Sequence, residues 1–285
     1  MSTDVRPHWD RLTTIGSQVA TVCYRALVYS IIAFLLAPLL IVVVISFQET
    51  PYGGWPPEQY SLEWYTEIPE AVGYLGLGDA LTTSLQVAIA TAIIATAIGG
   101  LAAFGLVRSD LESSATLETL FLSPLIYPWM LVGFAILLVI GRIRTDLGVQ
   151  IPLSFWTLLL GHVIITLPFT IRTTTASLQN FDHTLEEAAQ DLGATEVETF
   201  RYITLPLVKP GLVSGAMFAF VLSFNQYIVS LFLAGPQSQT LPLRLFNLFF
   251  NTPPQQIAAI GTLLMVGTLV LVAIAEYTVG ISEYM

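Results

Sequence analysis

The chain has 285 residues, 54% of them hydrophobic and 11% charged, with a mean hydropathy of +0.74. Soluble globular domains are about a quarter charged, so the composition excludes one, and a net charge of −10 leaves nothing to hold nucleic acid. The single Cys23 excludes an internal disulfide.

Six apolar runs, at 27–47, 80–107, 120–140, 153–171, 211–234 and 257–275, approach the ~20 residues that cross a bilayer. Helices are the expected form, because backbone groups in lipid must be satisfied within each segment. The fold expected is an all-α membrane protein with six transmembrane helices. Residues 1–26 are a polar tail, with a short interfacial helix at 14–24. Residues 27–285 are one transmembrane domain. The first run is of full span length and follows a long polar lead, so it is a retained helix rather than a signal peptide.

After span 1, which contains Pro38, Pro51-Tyr-Gly-Gly-Trp-Pro-Pro57 is turn chemistry. Trp55, Tyr60, Trp64 and Tyr65 suit an interfacial aromatic belt. Span 2 carries Gly99, Gly100 and Gly105 among alanines and threonines, residues that let membrane helices approach closely. Span 3 has Pro124 and Pro128, which predict a kink, and span 4 ends near Pro168. With both termini in the cytoplasm, Arg6, Arg11, Arg25, Arg108, Arg172, Arg201 and Lys209 lie inside and Arg142, Arg144 and Arg244 outside. That asymmetry fits the positive-inside rule. The expected location is the cell membrane, multi-pass.

The loop 181–210 is polar and dense in helix signals. Thr184-Leu-Glu-Glu187 is a capping-box pattern, with Asp182 a rival N-cap. Leu185, Ala188, Ala189 and Leu192 then share a face. Gly193 suits the left-handed residue that ends a helix. Thr195-Glu-Val-Glu198 is a second capping box, and Pro206 and Pro210 close the second helix before span 5. The first helix presents adjacent alanines flanked by leucines, a low knob able to seat in a groove.

Glu187-Ala-Ala-x-x-x-Gly193, nine residues, then Ile203-x-Leu-Pro206 resembles the EAA loop of type I ATP-binding-cassette importer permeases. The resemblance implies a coupling helix with contacts at Glu187, Ala188, Ala189, Leu192 and Gly193. It also implies partners: two ATPase subunits, a second permease of a different chain, and an external solute-binding protein.

The energy source fits that resemblance. A P-loop needs Lys followed by Ser or Thr, and the only lysine, Lys209, precedes Pro210. The six runs contain no Asp, Glu, Lys or Arg, the residues that mark ion-coupled carriers. Their one histidine, His162, is best read as a hydrogen-bonding partner for a neighbouring helix. The chain is therefore expected to be non-catalytic, with no cofactor or metal site, and to draw its energy from a partner.

In span 5, Ser223, Gln226, Tyr227 and Ser230 recur at helical spacing, with Asn225 on another face, and are the candidate substrate path. Interhelical hydrogen bonding is the equally weighted alternative. Ser223-Phe-Asn-Gln-Tyr-Ile-Val-Ser230, Gly235-Pro236 and Thr240-Leu-Pro-Leu-Arg-Leu-Phe246 resemble the polyamine branch of these permeases. Where that branch often carries acidic residues after the Ser-Phe pair, Asn225 and Gln226 stand here. Importers of iron, thiamine, phosphonate or sugar are related alternatives. A self-contained channel or secondary carrier is the rival of another class.

Overall fold

The computed structural model describes residues 8–50, 54–108 and 114–279. The start of the expected tail, residues 1–7 including Arg6, and residues 51–53 of the expected turn lie outside them.

All regular elements among the described residues are helices: α1 (His8–Ile45), α2 (Glu63–Tyr74), α3 (Leu77–Arg108), α4 (Ser114–Leu122), α5 (Trp129–Leu147), α6 (Phe155–Gln179), α7 (Thr184–Asp191), α8 (Glu196–Thr199), α9 (Leu205–Phe224), α10 (Ile228–Leu233), α11 (Leu241–Leu248) and α12 (Pro254–Val279). Contacts divide the chain into two units, 1–66 with 253–263, and 67–252 with 264–285.

In the first unit, α1 starts at His8, so most of the expected polar tail is already helix. At the far end of α1 the chain turns on a knot of hydrogen bonds. The hydroxyls of Ser46 and Tyr65 are 2.6 Å apart, Trp64 Nε1 donates to the Gln48 carbonyl at 2.7 Å, and Gln255 Nε2 donates to the Thr50 carbonyl at 3.1 Å. Of the expected aromatic belt, Trp55 and Tyr60 are exposed, but Trp64 is buried, because its indole N–H is used as this internal donor.

The second unit is organised around α3, α6 and α9, which pack against one another. Small residues bring these helices together. A Cβ on Gly99 would stand 2.0 Å from Thr170 Oγ1, and one on Gly215 would stand 2.7 Å from Thr173 Oγ1. Thr170 Oγ1 donates across the α3–α6 seam to the Ala95 carbonyl at 2.9 Å.

Among the described residues, four helices are long and apolar enough to cross a bilayer alone: Ala20–Ile45, Leu77–Arg108, Phe155–Gln179 and Glu196–Phe224. The third expected span is a bent pair, Thr116–Leu125 and Trp129–Leu147, meeting at 102° where Pro124 and Pro128 interrupt the helix. The apolar part of α12, Pro254–Val270, is shorter. Among the described residues, length and composition thus give four spans, or five with the bent pair, against the six expected.

Three expected boundaries moved. Pro168 does not end span 4; α6 continues to Gln179. The packing of α6 against α3 and α9 carries the helix through the proline, as membrane helices allow. Pro206 and Pro210 do not close the second loop helix. A π-turn, Phe200–Thr204, joins α8 to α9, with Pro206 in the first turn of α9, where a missing N–H does no harm. Finally, the expected fifth span is two helices. It breaks after Phe224 and resumes at Ile228.

Candidate functional site

The loop between α6 and α9 is ordered by its own side chains. Asp182, the rival cap, starts α7. One carboxylate oxygen accepts from the backbone N–H and the hydroxyl of Thr184, at 3.0 and 2.8 Å. Thr184 is thereby the first helical residue and not the cap, so the box expected at Thr184–Glu187 does not close. The bonds from the Thr184 hydroxyl and backbone lower the pKa of the exposed Asp182 carboxyl.

α7 ends in a Schellman motif. Gly193 has φ +94, its N–H reaches the Gln190 carbonyl at 2.9 Å, and the Ala194 N–H reaches the Ala189 carbonyl at 3.0 Å. The second capping box forms as expected. Thr195 N and Oγ1 both donate to Glu198 Oε2, and Glu198 N donates back to Thr195 Oγ1.

These devices leave α7 with no buried residue. Glu187, Ala188 and Gly193 are exposed, Leu192 is 90% exposed, and Ala189 is half-buried. The five residues singled out in the sequence therefore share one small helix and its corner.

A residue that local sequence reasoning missed fixes the other side of α7. The Glu186 carboxylate bonds Arg108, the last residue of α3, and the hydroxyl of Thr204 in the π-turn; His183 Nδ1 is 3.6 Å away. Partial burial pushes this carboxyl upward, but the Thr204 hydroxyl and the Arg108 guanidinium outweigh it and hold it below the usual glutamate range. Arg108 also lies 5.5 Å over the Phe104 ring, which meets Phe200 edge-on at 5.4 Å. The pairing spans 78 residues, so no local period announces it.

The candidate path residues lie at the α9–α10 break. Ser223, Gln226 and Ser230 are buried, Tyr227 is half-buried and Asn225 is exposed. The helical spacing that grouped them does not run through residues 225–227; tertiary bonds group three of them instead. His162 places Nδ1 2.7 Å from Ser223 Oγ and Nε2 3.0 Å from Ser230 Oγ. Ser230 gives its own proton to the Gln226 carbonyl at 2.9 Å. With that proton spent, Ser230 Oγ is left to accept from His162 Nε2. The Gln226 side-chain carbonyl accepts from the N–H groups of Ile228 and Val229, capping α10. Asn225 Nδ2 bonds the Val221 carbonyl at 3.0 Å, and the Tyr227 ring lies 4.7 Å from Phe246.

At the opposite end of α3 from Arg108 is a polar cavity of about 510 Å³, lined by Asp79, Thr82, Thr83, Gln237, Gln239 and Arg244 among others. Arg244 Nε donates to the Leu75 carbonyl at 2.7 Å. α3 has 32 residues, so at ~1.5 Å per residue the cavity and the α7 attachment stand roughly 45 Å apart.

Residues 95–279 match the family described as the binding-protein-dependent transport system inner membrane component. The chain belongs to this family. It is thus a permease subunit of a binding-protein-dependent ABC importer. As a permease it is 32% identical to the spermidine/putrescine transport system permease protein PotC of Haemophilus influenzae, over 88% of this chain and 94% of that one. It is 30% identical to the putrescine transport system permease protein PotI of Escherichia coli, over 88% of each. In fold it is similar to a chain of a bacterial ABC transporter involved in the import of the acidic polysaccharide alginate, with a TM-score of 0.65 at 13% identity, covering 96% of this permease and 99% of that chain. A chain of the MetNI methionine ABC transporter gives 0.53 at 16% identity, with coverages of 77% and 99%. The sequence resemblance and the type I permease fold it implied are borne out.

Proposed function

We propose that this permease carries a polyamine-type cation into the cell, driven by an ATPase that grips α7. The polyamine reading rests on its similarity to PotC and PotI, both named for polyamines. The carrying observation for the ATPase dock is the exposure of Glu187, Ala188, Leu192 and Gly193 on a helix capped at both ends. With Ala189 they form the contact surface, one such helix for each of two ATPase subunits. The chain binds no nucleotide; hydrolysis belongs to the partner. A second, different permease chain completes the path, and an external binding protein delivers cargo. Both termini and α7 lie in the cytoplasm, which puts the Asp79–Arg244 cavity at the outer mouth.

Cargo meets the permease at the α9–α10 break. Asn225 and Tyr227 are its more accessible members, while Ser223, Gln226 and Ser230 hold the break open against His162. A break of this kind offers amide and backbone carbonyl oxygens to an ammonium group, in place of carboxylates. ATP-driven closure of the ATPase pair moves α7 and switches the permease between outward- and inward-open states.

The test is co-purification. The wild type should retain an ATPase subunit, and Glu187→Lys should still insert and fold while uptake of radiolabelled spermidine no longer follows ATP hydrolysis. A Glu187→Lys variant with unchanged transport in vesicles removes Glu187 from the dock.

A further inference from the structure

The dock accounts for one face of α7; the other face raises the question of how its motion reaches the membrane. α7 has no buried residue, so it is not welded to the bundle by an apolar core. A helix held only by its two flanking turns would pivot on Gly193 and on the Asp182 cap when pushed. One α7 side chain reaches beyond the loop's own caps. Glu186 bonds Arg108 at the end of α3 and Thr204 in the π-turn that roots α9. α3 and α9 are two members of the three-helix core.

We propose that Glu186 is the positioning residue that transmits movement of α7 to both helices at once. Its placement suits the task. The side chain is 14% exposed against 37% for Arg108, so this ion pair is partly withdrawn from water, where a fully exposed pair would be weak. Arg108 is itself braced on Phe104, and Phe104 on Phe200, so the guanidinium is not a loose end. Thr204 is fully buried within the π-turn and also lies 3.5 Å from the Thr199 carbonyl. The π-turn is the wide stretch of the α8–α9 path, and it lies between the pushed loop and the helix to be moved. A two-pronged attachment converts displacement of α7 into concerted displacement of α3 and α9, whereas either prong alone leaves one helix behind.

This inference rests on α7 being the ATPase dock, and the experiment separates the two claims. The complete complex of both permeases, ATPase and spermidine-loaded binding protein is reconstituted in liposomes, with wild type compared to Glu186→Gln, Arg108→Gln and Thr204→Val. If wild type retains no ATPase, the dock reading fails and the Glu186 proposal is overturned with it. Given a docked wild type, the variants should keep the ATPase bound and keep basal hydrolysis. They should lose stimulation of hydrolysis by the loaded binding protein, and spermidine moved per ATP should fall about tenfold, within the usual span of coupling energies. Glu186→Gln combined with Arg108→Gln should be no worse than either alone. Loss of ATPase from Glu186→Gln would make Glu186 a mere prop for the dock, and unchanged cargo per ATP would make it dispensable; either outcome overturns the proposal.

Discussion

Gly99 and Thr170 face each other across the α3–α6 seam with no room for a methyl group between them: an added Cβ would stand 2.0 Å from the threonine hydroxyl. That hydroxyl is already committed to the Ala95 carbonyl one turn away. Gly99→Ala must therefore push the helices apart or break the bond. Overpacking of this kind destabilises by about 1–3 kcal/mol. The melting temperature in detergent should fall for Gly99→Ala and hold for Gly105→Ala, where nothing lies within 4 Å of the new Cβ. Equal melting of both variants would contradict the seam.

Gly193 presents the opposite case. Space around it is open, but its φ of +94 is one that residues with a side chain rarely adopt. Gly193→Asp should strain the Schellman turn by about 1–2 kcal/mol and reorient the surface of α7. The protein should still fold and purify as wild type but lose the ATPase. Retention of the ATPase would take Gly193 out of the dock.

The Glu186 attachment has a pH signature. The folded pKa is lowered, so the stabilisation is fully present above the ordinary glutamate value of about 4.3 and is lost as pH falls through the folded value. Hydrogen exchange of residues 184–204 should be flat from neutral pH down to about 4.3 and should rise as pH falls further, after correction for intrinsic rates. Glu186→Gln should show raised exchange with no such step.

At the helix break, Asn225 stands where the polyamine branch often has an acid. Asn225→Asp should lower the apparent KM for spermidine by about tenfold, the worth of one charge-assisted hydrogen bond, with ATPase binding unaffected. No change would place the cargo's path elsewhere. Gln226→Leu removes the acceptor of the Ile228 and Val229 N–H groups, so it should both impair uptake and destabilise by about 1–3 kcal/mol.

Local chemistry was readable from the sequence and tertiary choices were not. Gly193 and the Thr195–Glu198 box were legible because caps are written in a few neighbouring residues. The Asp182–Thr184 competition was visible, but nothing local decided its winner. The span of α6 was misjudged because a proline is tolerated inside a membrane helix supported by its neighbours, and α3 and α9 pack on α6 here. The break after Phe224 has no proline or glycine at 225–227 to mark it; it is held by His162, on a different helix. Glu186 looked like a twin of Glu187, and only the fold shows that one reaches Arg108 while the other points outward.

The most direct test of the whole account is flux through the purified chain with and without its motor. Liposomes carrying the complete complex should accumulate spermidine only with ATP and the binding protein, and liposomes carrying this permease alone should accumulate none under any imposed ion gradient or membrane potential. Gradient-driven uptake by the lone chain would contradict it.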